Sequence, residues 1–385
     1  MAEELSTREL VDMVRRVFRP GLEDRNLAIM VDLPDEVARD NPEWRDRREM
    51  AAAWAARLSS SCRDAGLEQV SLLLYRNSRA GNADLPAHAV QHAGGALPAT
   101  AEELRGALLP FERIFETFQL LIAPTEFSAT APLKVAAKRH GFRAATMPGF
   151  TRAMIPALRL DYGVIARRVD RFKEMLDRAE RCDIVFDAAG SEHRLVLDLR
   201  HREAHASGGL LPEKGTAGNL PSGESYVVPY EGEIPGDPTA SAGEIPVQLG
   251  EDIVIYRVRD NVAIEVLSDN AASRSEAARL RAEPAYGNIA ELGLGVLGDF
   301  GLEPTGAILL DEKLGLHIAF GRSDHLGGKV GPDRFSRPES VVHIDRVYLP
   351  SLQPDVKVAL VHLTMEDGSI VELMRDGHYV VALDG

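Results

Sequence analysis

Residues 27–32 read LAIMVD, an unbroken apolar run of strand length, followed by the turn-prone Leu33-Pro34-Asp35. From about residue 43 to 60 the apolar positions then recur at helical spacing. The alternation repeats, with strands predicted over 69–75 (QVSLLLY), 118–123 (FQLLIA) and 143–147, and helices over 102–117 and 131–140. Strands that alternate with helices predict a parallel or mixed sheet covered on both faces. A further helix is predicted over 162–181, where Arg167, Arg168, Arg171, Lys173, Arg178 and Arg181 interleave with Asp170, Glu174, Asp177 and Glu180. Mixed signs at this spacing mark a solvated face carrying i,i+4 pairs.

After Cys182 the period shortens. DIVFDA and RLVLDLRH form a predicted hairpin turning at Ala189-Gly190-Ser191-Glu192. Residues 206–223 and 235–244 are rich in Gly, Pro and small side chains and read as long loops between strand runs such as IVIYRV and VAIEVL. Residues 270–281 form the one helix expected in this half. KVALVHLT, SIVELM and HYVVAL are expected to pair antiparallel through turns at Glu366-Asp367-Gly368 and Asp376-Gly377. The pattern predicts an α/β N-terminal domain with a mixed or parallel sheet over 1–185 and a β-rich (α+β) domain over 186–385.

A length of 385 residues and 45% hydrophobic content agree with two cores. The formal charge of -15 argues against nucleic acid or an anionic membrane as the principal partner, since both require clustered Lys and Arg. A small neutral or organic substrate suits the composition better. Cys62 and Cys182 stand far apart, which suggests neither a disulfide framework nor a thiolate metal site, so a reducing cytoplasm is the expected setting. The opening MAEELSTREL lacks the basic start and apolar core of a signal peptide, and no apolar run reaches transmembrane length. No glycine-rich phosphate loop follows any predicted strand.

The chemistry concentrates in the C-terminal half. In a strand, Ile344 points away while His343 and Asp345 share a face, so His-x-Asp aims an imidazole and a carboxylate at one point. Glu224 follows Pro-Ser-Gly, Glu291 lies in Ala-Glu-Leu-Gly, and His317 lies in LHIAFG. Small and apolar flanks predict burial, and a buried carboxylate calls for a cation. Nitrogen and carboxylate donors without thiolates suit one or two divalent ions of Zn, Mn, Co or Fe. Asp311 and Lys313 are expected to brace a loop. HREAH, with His201 and His205, is not HExxH and reads as a solvated patch.

Four segments, taken in order, carry a family resemblance. They are Asn219-Leu220-Pro221-Ser222-Gly223-Glu224; Gly287-Asn288-Ile289-Ala290-Glu291-Leu292-Gly293-Leu294-Gly295; Asp311-Glu312-Lys313 with His317-Ile318-Ala319-Phe320-Gly321; and His343-Ile344-Asp345. Over residues 218–345 they resemble the aminopeptidase T and aminopeptidase S metallopeptidases. The resemblance implies metal ligation by Glu224, Glu291, His317, His343 and Asp345, with Glu224 or Glu291 as ligand or general base, and implies a homo-oligomer. The pattern departs where the family carries a tyrosine assisting peptide cleavage: here the chain reads Arg322-Ser323-Asp324-His325, with Asp324 at the matching place and His325 beside it as a proton-transfer candidate. Tyr226, Tyr286 and Tyr348 lie near the motifs, and spacing does not choose among them as a replacement phenol. The framework is also similar to that of a dihydroxypyridine ring-cleaving dioxygenase and a nitroanthranilate deaminase. The expectation is therefore a metallohydrolase acting on an amide or C–N bond, with a non-haem iron dioxygenase or aromatic deaminase and a catalytically silent metal-binding protein as alternatives.

Overall fold

The structure, a computed structural model, describes residues 3–383. The chain divides into two compact units, one comprising Met1–Gly163 with Gly209–Ser222 and the other Val164–Gly208 with Gly223–Gly385.

The first unit is built on a seven-stranded sheet in the order Ala217–Asn219, Arg143–Thr146, Leu120–Ala123, Asn26–Leu33, Gln69–Arg76, His88–Gln91, Leu108–Pro110. Its first five strands run parallel and the last two antiparallel, as the alternating pattern predicts. The central Asn26–Leu33 strand is buried at all but its first residue, which is why its sequence is continuously apolar. Asn41 caps the Pro42–Ser60 helix, Pro42 occupies the first turn, and Trp44 and Trp54 are buried. The predicted 102–117 helix is shorter, Phe111–Thr117, because Gly106 takes a positive φ and Leu108–Pro110 pairs with His88–Gln91 instead. An additional helix, Thr7–Phe18, opens the chain behind a Ser6/Glu9 capping box.

The second unit contains an eight-stranded and a five-stranded sheet, all of whose pairings are antiparallel. The eight-stranded sheet holds the predicted 182–198 hairpin, realised as Ala179–Ala188 and Ser191–Asp198, together with IVIYRV, VAIEVL, KVALVHLT and SIVELM. It also takes Ala242–Leu249, whose first three residues fall in the stretch 235–244 expected as loop, while of HYVVAL only His378–Tyr379 pairs. The Tyr162–Asp177 helix gives way to strand at Ala179, short of the predicted 181. From Val164 on, this helix belongs to the second unit, where Phe172 packs against Tyr379 and Arg168 lies over Phe300. The division thus falls earlier than the change of texture near 185.

The five-stranded sheet has the order His343–Val347, Leu316–Gly321, Ile289–Gly295, Glu224–Val227, His205–Ser207. One face is apolar: Phe320 packs on Tyr256 at 5.1 Å between ring centroids, so this face meets the eight-stranded sheet. In Ile289–Gly295 the alternation of Leu292 and Leu294 with Glu291, Gly293 and Gly295 delivers that division residue by residue.

Candidate metal centre

Cross-strand register gathers the site on the other face. Glu291 pairs with Ala319 and Ala319 with Asp345; Gly293 pairs with both Tyr226 and His317; Gly321 pairs with His343. Each residue expected as a ligand therefore has a small residue beside it. The need is steric: a Cβ on Gly293 would lie 2.0 Å from His317 Nε2, because the imidazole lies across that glycine.

All five residues expected as ligands converge. Glu224, Glu291 and His317 form one trio of donor atoms and Glu291, His343 and Asp345 a second, each spanning no more than 4.8 Å. Glu291 belongs to both, with Oε1 3.3 Å from His317 Nε2 and Oε2 3.1 Å from His343 Nε2. His343 Nε2 is also 3.4 Å from Asp345 Oδ1. His343 Nδ1 meets the Arg322 carbonyl at 2.8 Å and His317 Nδ1 meets that of Gly315 at 3.4 Å. With Nδ1 donating to a carbonyl, Nε2 is the nitrogen left to ligate. His317 is 1% exposed by side chain and His343 20%, so the pocket opens on the His343 side.

Charge makes the same point. Burial alone would depress His317, yet Glu291, Glu224 and Asp345 outweigh it and raise its pKa to about 9. His343 is likewise raised, against burial, by Asp345 and Glu291. Burial opposes ionisation of Glu291 as well, and the two imidazoles overcome it to hold this carboxyl below its usual range. The pocket carries more negative charge than its fixed cations balance. Glu224 Oε2 is buried and has no hydrogen-bond partner among the described residues, 3.7 Å from His317 Nε2. An orphaned carboxylate oxygen beside two oriented imidazoles and two further carboxylates fits a divalent cation of the borderline class.

Lys313 is more deeply involved than a loop brace. Fully buried, it donates to Glu224 Oε1 at 2.6 Å and to Glu312. Burial would lower its pKa, and the two carboxylates reverse the shift. Burial pushes Glu312 up to about 8, with Glu224 and Asp345 adding to the rise and Lys313 and His317 opposing it. Adjacent charges in Asp311-Glu312-Lys313 gave no sign of this burial in the sequence. Asp311 does brace a loop, accepting from the amides of Thr305 and Gly306.

Asp324 pairs with Arg322 at 2.5 Å, and although burial opposes it, this contact keeps its carboxyl below the usual range. His325 sets its ring 5.1 Å from that of His343, edge to face. Burial first, then the neighbouring His343 and Arg322, lowers His325 to about 4. The HREAH patch splits. His201 pairs with Asp237 at the surface, whereas His205 lies on the strand paired to Tyr226, its ring 5.1 Å from the phenol ring. Tyr286 donates to Glu276 and Tyr348 to the Pro246 carbonyl, so of the three tyrosines Tyr226 alone presents its ring on the ligand face. Burial, then Glu291 and Glu224, raise its phenol.

No family model matches the sequence, and no curated protein matches it. Among solved structures, 2,5-dihydroxypyridine dioxygenase from Pseudomonas putida KT2440 superimposes with a TM-score of 0.61 at 15% identity, covering 98% of this chain and 99% of that one. Wild-type AmpT from Thermus thermophilus superimposes with a TM-score of 0.52 at 16% identity, covering 97% and 99%. Both likenesses run the full length of the chain, and the fold implied by the four ordered motifs is the fold that these two enzymes share with it.

Proposed function

We propose that this chain is a metal-dependent hydrolase that cleaves an amide or related C–N bond of a small-molecule or short-peptide substrate. The observation that carries the reading is the placement of Glu291, which offers one carboxylate oxygen to each of two donor trios and so suits two ions side by side. A divalent cation held there supplies Lewis acidity that polarises the electrophile and eases deprotonation of water.

The chain's own residues divide the remaining work. Glu291, His317, His343 and Asp345 hold the ion or ions, with Glu224 completing the deeper trio. Glu224 Oε1 is fixed by Lys313; Oε2 would complete the deeper trio with two ions bound and, with one, would accept the proton of the attacking water. That proton passes to the departing nitrogen as the C–N bond breaks and the C–O bond forms. His325, beside the more open His343, stands where a proton is exchanged at the mouth of the pocket.

A second reading, ring cleavage by a mononuclear non-haem iron centre, is favoured by two observations: Asp324 is taken up by Arg322, so no oxyanion donor stands at that place, and the His325 ring beside His343 offers a flat surface to an aromatic substrate. The two separate cleanly. Protein purified without chelator is analysed for metal and assayed on aminoacyl anilides and on hydroxylated and aminated aromatics, with and without oxygen. Two equivalents of zinc, cobalt or manganese with anaerobic anilide turnover support the hydrolase. One equivalent of iron with oxygen consumption replaces it with the dioxygenase, and metal retention without turnover points to a silent binding protein. A homo-oligomer in the cytoplasm belongs to the same proposal, and sedimentation velocity tests the assembly.

A further inference from the structure

Tyr226 occupies a place that the ligand set does not use. It lies two residues beyond Glu224 on the same strand, hence on the same face, and pairs with Gly293, across which the His317 imidazole lies. With no side chain on Gly293, nothing of that residue stands between the phenol and the imidazole. The Tyr226 hydroxyl makes no hydrogen bond among the described residues, and the side chain is only partly buried. A half-buried phenol beside a dense group of carboxylates ordinarily finds an acceptor.

The ring is nevertheless held. His205 pairs with Tyr226 in register and stacks on it at 32° between ring planes. His205 Nε2 meets the Leu326 carbonyl at 3.1 Å, next to the His325 that packs on His343. A ring fixed this way with its donor uncommitted is organised for something that enters the pocket.

We propose that Tyr226 is a substrate-contacting residue whose phenol O–H donates to the oxygen of the bond under attack, an amide carbonyl oxygen or its equivalent, with His205 positioning the ring. The inference rests on the metallohydrolase reading for the identity of that bond, and the contact itself is tested apart from it. The probe is acetohydroxamic acid, a small ligand with two oxygens, titrated calorimetrically into full-length zinc-loaded wild type, Tyr226→Phe and His205→Leu. The contact predicts about tenfold weaker binding by Tyr226→Phe, the loss of one hydrogen bond to a charged oxygen, at unchanged metal content and thermal midpoint. His205→Leu, which keeps the phenol but frees it, loses a smaller factor. On leucine p-nitroanilide, Tyr226→Phe lowers kcat roughly 100- to 1,000-fold with KM nearly unchanged.

The outcomes are separable. Tyrosine-dependent hydroxamate binding without anilide cleavage removes the hydrolase reading and keeps the contact. Hydroxamate affinity that is the same in wild type and Tyr226→Phe, whether measurable or absent, overturns the contact even if anilides are cleaved. So does loss of metal by Tyr226→Phe, which makes the phenol structural.

Discussion

Two residues without catalytic chemistry decide whether this site exists. Gly293 gives up its side chain so that the His317 imidazole can lie flat across the strand. Gly293→Ala is therefore expected to push the imidazole aside and weaken metal binding roughly 10- to 100-fold, checked by zinc titration against a chromophoric chelator, with circular dichroism unchanged. Among the described residues, Lys313 is the one fixed cation touching both Glu224 and Glu312. Lys313→Met leaves the buried Glu224 carboxylate without its lysine counter-charge and is expected to cost about 3–5 kcal/mol in urea unfolding of metal-free protein. The loss is expected to shrink when metal is present. Neither residue announced itself. A glycine in a strand and a lysine after two acids are ordinary in sequence, and only pairing and burial give them their roles.

At the level of elements, the sequence was most legible where one period ran for its full length. Residues 27–32, 69–75 and 253–258 appear as strands because every position agreed with its neighbours. It failed where local chemistry competed: 102–117 carries helix-forming residues, yet Gly106 and the pairing of residues 108–110 take its first half for turn and sheet. The five candidate ligands were legible because four ordered motifs carried the family resemblance and the His-x-Asp step set His343 and Asp345 on one face, whereas Tyr226 and His205 depend on which strands become neighbours, a tertiary fact. The opening Thr7–Phe18 helix went unnoticed, although Ser6 and Glu9 form its capping box. Ser6→Ala is expected to lower stability by about 1 kcal/mol. Glu9 accepts from the Ser6 amide and hydroxyl and from Arg159, which lowers its pKa to about 2. Because the folded value lies below the unfolded one, this contribution is full above the ordinary glutamate range and disappears as pH falls through about 2. Acid unfolding followed in wild type and Ser6→Ala should show the difference between them narrowing across that window.

For the whole molecule, the excess negative charge of the pocket ties metal to protons and to stability. In metal-free protein below pH 9 the His317 imidazole holds a proton that an arriving cation must displace. Calorimetric titrations in buffers of differing ionisation enthalpy should therefore report proton release that diminishes as pH rises past about 9. Bound metal should also raise the thermal midpoint with free-metal concentration, by about 2.7 kcal/mol of stabilisation at one hundred times the dissociation constant. No described helix is long and apolar enough to cross a membrane.

His343 and Asp345 come from the last strand of their sheet, which has a partner on one side only. An ion gripped there and by Glu291 and His317 further in would act as a rivet at the sheet's rim, fastening its least supported member to the interior. Stripping the ion should then loosen that margin first, and amide exchange over residues 343–347 should quicken before any inner strand responds.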